Sequence, residues 1–574
     1  VAGSTETDWV SRFADDVIAE SERRAPGKPV VVASGLSPSG PIHLGNLREV
    51  LTPHLVADEV RRRGHEVRHL ISWDDYDRYR KVPAGVPGVD ESWAEHIGKP
   101  LTSVPAPAGS AHPNWAEHFK AQMAAALVEM GVEYDGISQT AQYTSGAYRE
   151  QVLHAVRHRA EIDAILAQYR TKKAPAKQSQ KPQDAAEIAA AEGSGAAGED
   201  DGSGSGVGYF PYKPYCARCG KDLTTVTAYD DETTRMAFSC ACGHEETVLL
   251  REFDRGKLVW KVDWPMRWAY EGVVFEPSGV DHSSPGSSFQ VGGQIVGPIF
   301  GGRQPIGPMY AFVGISGMAK MSSSKGGVPV PEDALRIMEP QLLRWLYARR
   351  RPNQSFKIAF DQEIQRLYDE WDALTRKVEE GTALPADQAA YTRAIGTAAG
   401  ELPRTPRPLP YRTLASVADI TAGAEQQTLR ILSELDPDHP LASLDEVRPR
   451  LDRAEAWIST QVPAEQRTVV RAEPDTERLA GLDEEARGGL KLLLDGLDSH
   501  WSLDGLTTLV YAVPKVQAGL APDAKPTPEL KVAQRAFFAL LYELLVGRDT
   551  GPRLPTLLLA VGQPHVRTLL GAPA

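Results

Sequence analysis

Three groups of residues have types and spacings that could do chemistry. The first is Gly35-Leu36-Ser37-Pro38-Ser39-Gly40-Pro41-Ile42-His43-Leu44-Gly45-Asn46, a glycine-rich turn that delivers an imidazole and an amide to the start of a helical pattern. Such a turn offers backbone N–H groups and a histidine donor to phosphate oxygens. Gly40 and Gly45 leave room for a flat ligand where a Cβ would intrude. The second is Gly317-Met318-Ala319-Lys320-Met321-Ser322-Ser323-Ser324-Lys325-Gly326, which places two ammonium groups and three hydroxyls in one short loop far downstream. Lysines and hydroxyls on such a loop can reach a polyphosphate. The third is Cys216-x-x-Cys219 with Cys240-x-Cys242, the chain's four cysteines in two knuckles. That is a tetrahedral zinc pattern. His244 competes with Cys242 for the fourth position, and the four-cysteine set is the expected one. A filled tetrahedral site has no open position, so the module is structural or partner-facing and not catalytic.

The elements that must position these groups follow from periodicity. Val30 to Ser34 is an apolar run short enough for a buried strand. From about residue 44 to 63, Leu47, Val50, Leu51, Leu55, Val56 and Val60 recur at helical spacing, and Gly64 suits the C-cap. Val67 to Trp73 reads as a second strand running into Asp74-Asp75-Tyr76-Asp77. This β-α-β unit puts the glycine-rich turn and the acidic loop at one edge of a parallel sheet, where ligands bind in doubly wound folds. The spacing further predicts helices over 9–29, 115–130 and 148–169, and strands at 132–137, 259–262, 273–275 and 310–315. A helix is expected at 286–300. Beyond about residue 353 the pattern is mainly helical, including 411–421, 466–476, 482–497, 503–520 and 531–545.

The two loops resemble the HIGH-type and KMSKS-type signatures of class I aminoacyl-tRNA synthetases. Trp73-Asp74-Asp75-Tyr76-Asp77-Arg78-Tyr79-Arg80-Lys81-Val82-Pro83 and Val262-Asp263-Trp264-Pro265-Met266-Arg267-Trp268 narrow the likeness to the class I lysyl-tRNA synthetases. The resemblance is dense from residue 9 to about 360 and thinner beyond. It implies a Rossmann-like α/β catalytic domain with a zinc-binding insertion and a largely α-helical anticodon-binding region. The implied activity is ATP-dependent ligation of L-lysine to tRNA(Lys) through a lysyl-adenylate, releasing AMP and diphosphate. His43, Asn46, Lys320 and Lys325 are then catalytic. Asn46 stands where the signature often carries a second histidine. ATP falls to Pro38, Gly40, His43, Gly45, Asn46, Lys320, Met321, Ser322, Ser323, Ser324 and Lys325, with Mg²⁺ held mainly by phosphates.

Lysine ends in an ammonium that needs a carboxylate or an aromatic face. Gly35, Ser37, Asp74, Asp75, Asp77, Trp260, Trp264, Trp268, Asp281 and His282 are the candidates, with the acidic loop, Asp75 above all, expected to meet the ε-ammonium. Trp264 and Trp268, four positions apart, could equally be core packing. Arg344, Arg349, Arg350, Arg351 and Lys357 form a basic stretch that suits RNA backbone or a solvated helix end. Other class I specificities, a non-catalytic tRNA-binding paralogue and an adenylate-forming enzyme without tRNA are the competing readings.

A length of 574 residues exceeds one core and predicts three or four domains. The expected partition is an N-terminal helix (1–30), a first catalytic half (31–170), a flexible low-complexity insertion (171–208), a zinc module (209–250) and a second catalytic half (251–352). A helical stem (353–465) and a C-terminal helical anticodon-binding domain (466–574) complete it. The net charge of −13 is that of an acidic enzyme, and an RNA footprint would have to be local. Clustered cysteines exclude a disulfide scaffold, and no apolar stretch reaches the roughly 20 residues of a membrane span. Val1 to Trp9 shows no signal-peptide pattern. Starting without Met implies processing or a truncated sequence. A cytoplasmic monomer with no membrane contact is expected.

Overall fold

The computed structural model describes residues 8–170, 201–282, 286–317 and 328–572. The chain forms two compact units. The first runs to Leu335 and adds Pro340–Ala359 and Ala373–Leu402; the second takes Arg336–Glu339, Phe360–Asp372 and the chain from Pro403.

The first unit begins with α1 (Trp9–Arg24), whose N-terminus is capped by the Asp8 carboxylate accepting from the N–H groups of Val10 and Ser11. Strand β1 (Val30–Leu36) is almost wholly apolar and buried, as a strand covered on both faces must be. A single 3₁₀ turn at Leu44–Asn46 leads into α2 (Leu47–Arg62), and Gly64, at φ +85°, lets the chain turn back. Strand β2 (Val67–Trp73) then pairs parallel with β1, from Val30 opposite Val67 to Leu36 opposite Trp73. After α3 (Trp115–Glu129), β3 (Asp135–Ser138) pairs parallel on the outer side of β2. On the other side of β1, Val274 N–H donates to Val31 O at 2.8 Å and Ala33 N–H to Phe275 O at 2.9 Å. Ile306 continues the ladder beside Phe275, also parallel. The spatial order is therefore that of a doubly wound sheet.

Three hairpinned strands, β4 (Thr224–Tyr229), β5 (Arg235–Cys240) and β6 (Glu245–Leu249), make the cysteine module. The following segment departs from expectation: 259–262 is no strand, because α4 (Trp260–Glu271) starts there. Apolar and aromatic side chains at i, i+4 and i+8 bury one face of that helix. The helix expected over 148–169 is two, Arg149–Arg157 and Arg159–Arg170; between them the imidazole Nδ1 of His158 lies 2.8 Å from the His154 carbonyl. Helix α5 (Ser288–Phe300) matches its pattern. The strand expected at 310–315 is split: Met309–Tyr310 pairs with Ser278–Gly279, and β7 (Val313–Ser316) pairs with β8 (Phe356–Ala359). Residues 201–208 also differ from a flexible reading. Phe210 N–H donates to Gly202 O and Gly206 N–H to Val226 O, both at 2.9 Å, so these glycines are set by backbone pairing. Residues 171–200 of the low-complexity stretch lie outside the described residues.

The second unit is helical. Its core gathers leucines from Glu484–Gly496, Leu503–Gln517, Pro528–Val546 and Leu554–Val561. Expected helix 466–476 is instead mostly irregular. Its backbone is satisfied from outside: Asp419 accepts from Thr468 N–H at 2.9 Å, and Arg471 N–H donates to Leu545 O at 2.8 Å. Buried Arg450 bonds Glu339 at 3.0 Å and Asp372 at 2.9 Å. No helix among the described residues is long and apolar enough to cross a membrane.

Candidate active site and metal centre

A cavity of about 150 Å³ lies at the carboxyl ends of β1, β2 and β3. Gly35 and Leu36 of β1, Ser72 of β2 and Ile137 of β3 form its floor. Helix α4 supplies one wall with Trp260, Trp264, Arg267 and Trp268, and Glu49, Glu276 and Tyr310 close the rest. The indoles form a ladder, Trp260 stacked on Trp264 at 5.1 Å and Trp264 tilted by 50° against Trp268 at 4.9 Å, with His282 edge-on to Trp264 at 5.9 Å. Trp264 and Trp268 are thus both core and lining, since Phe289 packs on the pair from behind.

The cavity is acidic and its acids are of two kinds. Asp74 is matched: Arg267 reaches it at 2.7 Å, bonds Ser72 Oγ at 3.0 Å and also pairs with Asp263, which receives the Tyr143 hydroxyl. Burial lowers Arg267, but Asp263 and Asp74 outweigh it and hold the guanidinium well above its ordinary value. Burial lifts Asp74 to about 6 even so, against the pull of Arg267. Asp77 likewise pairs with Lys257.

Glu49 and Glu276 have no ion-pair partner among the described residues. Glu49 accepts from Gly35 N–H at 3.2 Å and from Tyr310 OH at 2.6 Å; Glu276 accepts from Trp268 Nε1–H at 2.7 Å. Burial pushes Glu49 up to about 8, with the nearby Glu276 charge adding to it. Burial likewise pushes Glu276 to about 7. Such carboxylates gain from a cation delivered to the cavity. A Cβ on Gly35 would make ordinary contact with the two acids, 3.6 Å from Glu49 Oε1 and 3.9 Å from Asp74 Oδ2.

Of the expected lysine residues, Gly35, Ser37, Asp74, Asp77, Trp260, Trp264, Trp268 and His282 line this cavity. Asp75 does not, which corrects the expectation placed on it. Its side chain is fully buried and saturated by Lys120 at 2.5 Å, Ser138 Oγ at 2.6 Å and Thr140 N–H at 2.8 Å. The side chain of Asp281 lies outside the described residues. Of the ATP set, Gly45 and Asn46 border the cavity; His43, half-buried, precedes the 3₁₀ turn and is not part of the lining, nor are Pro38 and Gly40. Gly40 packs toward Pro83, where a Cβ would stand 3.3 Å from its Cγ. A Cβ on Gly45 would meet only Val313 O at 3.6 Å, so packing leaves that position open. Lys320, Met321, Ser322, Ser323, Ser324 and Lys325 lie outside the described residues, but the stretch that follows them is anchored. Leu44 N–H donates to Pro329 O at 2.7 Å, which ties the first signature to the chain just after the second.

Glu49, Glu276, Arg267 and Tyr310 were not legible as site residues. Asn46-x-x-Glu49 at a helix start reads as a capping box, which hides the carboxylate's destination. In the structure Asn46 makes no side-chain cap bond and Glu49 turns to β1 and Tyr310. One base of the basic stretch, Arg344, also needs correction. Arg344 is buried and serves the carbonyls of Met130 at 2.9 Å and Arg393 at 2.6 Å, while Arg349 lies over Trp345 at 4.0 Å.

The sulfurs of Cys216, Cys219, Cys240 and Cys242 lie within 4.8 Å of one another. The Cys216–Cys242 and Cys219–Cys240 separations, 3.7 and 3.6 Å, match the edge of about 3.8 Å of a ZnS₄ tetrahedron with 2.3 Å bonds. Each knuckle turns at a left-handed glycine, Gly220 at φ +73° and Gly243 at φ +88°. His244 stands outside the cluster; its ring faces Glu246 at 3.5 Å and its carbonyl accepts from Cys240 N–H. The four thiols can hold one metal ion.

Fold and cavity together define a Rossmann-like α/β protein with an acidic pocket at the switch edge of its sheet. The profile described as "tRNA synthetases class I (K)" matches residues 7–400. The chain is 82% identical over 577 aligned residues to a protein of Streptomyces coelicolor named lysine–tRNA ligase, covering 100% of this chain and 99% of that one. Proteins of the same name from Pyrococcus horikoshii and Treponema pallidum are each 31% identical, over 97% and 98% of this chain and 98% of theirs. The chain belongs to the class I (K) tRNA synthetase family.

Proposed function

We propose that this chain joins L-lysine to tRNA(Lys) in two steps, with the acidic cavity as the amino-acid site. The observation that carries the substrate assignment is the pair of buried carboxylates, Glu49 and Glu276, that have no ion-pair partner among the described residues. In this reading Glu49, oriented by Tyr310, receives the ε-ammonium. Asp74, held by Arg267, faces the α-ammonium, and the indole ladder covers the aliphatic stem. The lysine carboxylate oxygen attacks the α-phosphorus of ATP and diphosphate leaves. Positioning and positive charge dominate such phosphoryl chemistry. Asn46 and His43 from the first signature, with Lys320 and Lys325 from the second, supply donors and charge to the phosphates. Gly45, open at its Cβ direction, admits the nucleotide. Mg²⁺, carried in with ATP, neutralises phosphate charge. A terminal ribose hydroxyl of the tRNA, the 2′-OH in this class, then takes the lysyl group and AMP leaves. Zn²⁺ on the four cysteines would hold the module's two knuckles together.

An acidic pocket disfavours glutamate as the substrate and leaves arginine as the competitor of like charge. The enzyme is read as a cytoplasmic monomer. Lysine-dependent ATP–diphosphate exchange, run with and without tRNA against a panel including arginine, tests the assignment. Exchange with lysine alone among the panel is expected; no exchange with lysine, even with tRNA present, overturns it.

A further inference from the structure

Asp263 is fully buried on α4 and is not part of the cavity lining, yet it is tied to an acid that is. One turn along the helix, Arg267 divides its fork between two carboxylates. One arm, Nη1, gives Asp74 Oδ1 a bond of 2.7 Å and Ser72 Oγ one of 3.0 Å; the other, Nη2, goes to Asp263 Oδ2. The guanidinium carbon lies 5.4 Å from the centroid of the Trp260 ring, which supports the fork from one side.

Asp263 is itself held. Its other oxygen, Oδ1, accepts from the hydroxyl of buried Tyr143, and that hydroxyl accepts from Leu258 N–H at 3.3 Å. Tyr76 stacks on the Tyr143 ring at 5.8 Å, and Tyr148 meets it edge-on at 5.0 Å. A locked tyrosine therefore fixes the carboxylate, with its second oxygen presented to Arg267.

A guanidinium facing a single carboxylate grips it with both arms. Asp74 would then be saturated, and a cation entering the cavity would meet a neutral pair. With one arm drawn off to Asp263, the bond that remains goes to Asp74 Oδ1 and leaves Oδ2, beside Gly35, without an arginine bond. Two carboxylates against one guanidinium also leave the trio with surplus negative charge. Burying that surplus is costly where a neutral pair would pack as well, and the cost is offset only when a cation arrives.

We propose that Asp263, oriented by Tyr143, is a positioning residue for amino-acid recognition: by holding one arm of Arg267 it leaves Asp74 Oδ2 open to the α-ammonium of lysine. This rests on the functional reading above and deepens its account of the same site. Asp263 touches no substrate and acts through Arg267 on Asp74. The ε-ammonium, received by Glu49, is outside its reach.

The test compares two non-hydrolysable adenylate analogues, lysyl and 6-aminohexanoyl, which differ only in the α-amino group. Their common adenosine and ε-amino end keep both affinities measurable by calorimetry. The wild-type chain should bind the lysyl analogue roughly 10- to 150-fold more tightly, the range for one hydrogen bond to a charged group. In Asp263→Asn the side chain keeps its size, and Arg267 can close on Asp74 with both arms. The lysyl analogue should weaken by most of that factor, while the 6-aminohexanoyl analogue stays within about twofold of wild type. In steady state the lysine KM should rise and the ATP KM stay within about threefold. Tyr143→Phe keeps the Asp263 charge but releases its orientation; it should narrow the gap in the same direction by less, and it carries the test if Asp263→Asn does not fold. The inference is overturned if the variants weaken both analogues by one common factor, which is a structural role only. It is also overturned if they keep the wild-type gap, or if wild type does not distinguish the two analogues. Failure of wild-type protein to prefer the lysyl analogue over an arginyl one would instead sink the functional reading itself.

Discussion

Replacing Glu49 with Gln isolates the unmatched carboxylate. The side chain keeps its size; its Oε1 can still accept from Gly35 N–H while its Nε2–H donates to the Tyr310 oxygen, so the cavity should keep its shape. Binding lysine then strands a desolvated ammonium opposite a neutral amide. Breaking a buried pair in this way costs about 3–5 kcal/mol, or roughly 150- to 5,000-fold in kcat/KM for lysine. The ATP KM should stay within about threefold. A second signature comes from protons. With its carboxyl at about 8, Glu49 is mainly protonated in the empty site at pH 7, and meeting an ammonium ionises it. Lysine binding should therefore release about 0.9 proton at pH 7, seen by calorimetry in buffers of different ionisation enthalpy, and clearly less in Glu49→Gln. Stability gives the third signature. A buried acid with a raised value loses stability as pH rises from its ordinary 4.5 to about 8, because the unfolded chain gives up its proton first. The full loss is roughly 5 kcal/mol. Ligand-free Glu49→Gln should match wild type near pH 4.5 and become progressively more stable than wild type up to pH 8. Equal rises in the lysine and ATP KM, with proton release unchanged from wild type, would refute the assignment.

Asp75→Asn should act on the fold and leave specificity alone. Weakening the bonds to Lys120, Ser138 and Thr140 costs about 1–3 kcal/mol in denaturant melts, while any changes in the lysine and ATP KM stay in step. Cys216→Ser should lower bound zinc in freshly purified protein from about one per chain toward zero and speed amide exchange across β4 to β6. Undiminished zinc would reassign the metal. Arg450→Met strands Glu339 and Asp372 and should destabilise the helical unit by about 3–5 kcal/mol, seen as an earlier melting transition.

Much of the framework was legible because it rests on neighbours in the chain. The β-α-β unit from Val30 to Trp73 follows from local periodicity and a left-handed glycine at 64. The cysteine knuckles follow from spacing and turn glycines, and both signature loops stand out as short motifs. The helices at Leu554–Val561 and Gln563–Leu569 were missed although Pro555 and Pro564 mark their first turns. The chemistry of each acid was not legible, because a carboxylate's role depends on which partner reaches it from elsewhere in the chain. Four acids that look alike as text part company in space. Asp75 is consumed by Lys120, Asp74 is matched by Arg267, and Glu49 and Glu276 are left to the cavity. Arg344, one of a run of bases on paper, is buried beneath distant carbonyls. Local pattern determines which elements form and where the motifs sit. Long-range pairing, with the desolvation it imposes, determines which charges remain to meet a substrate.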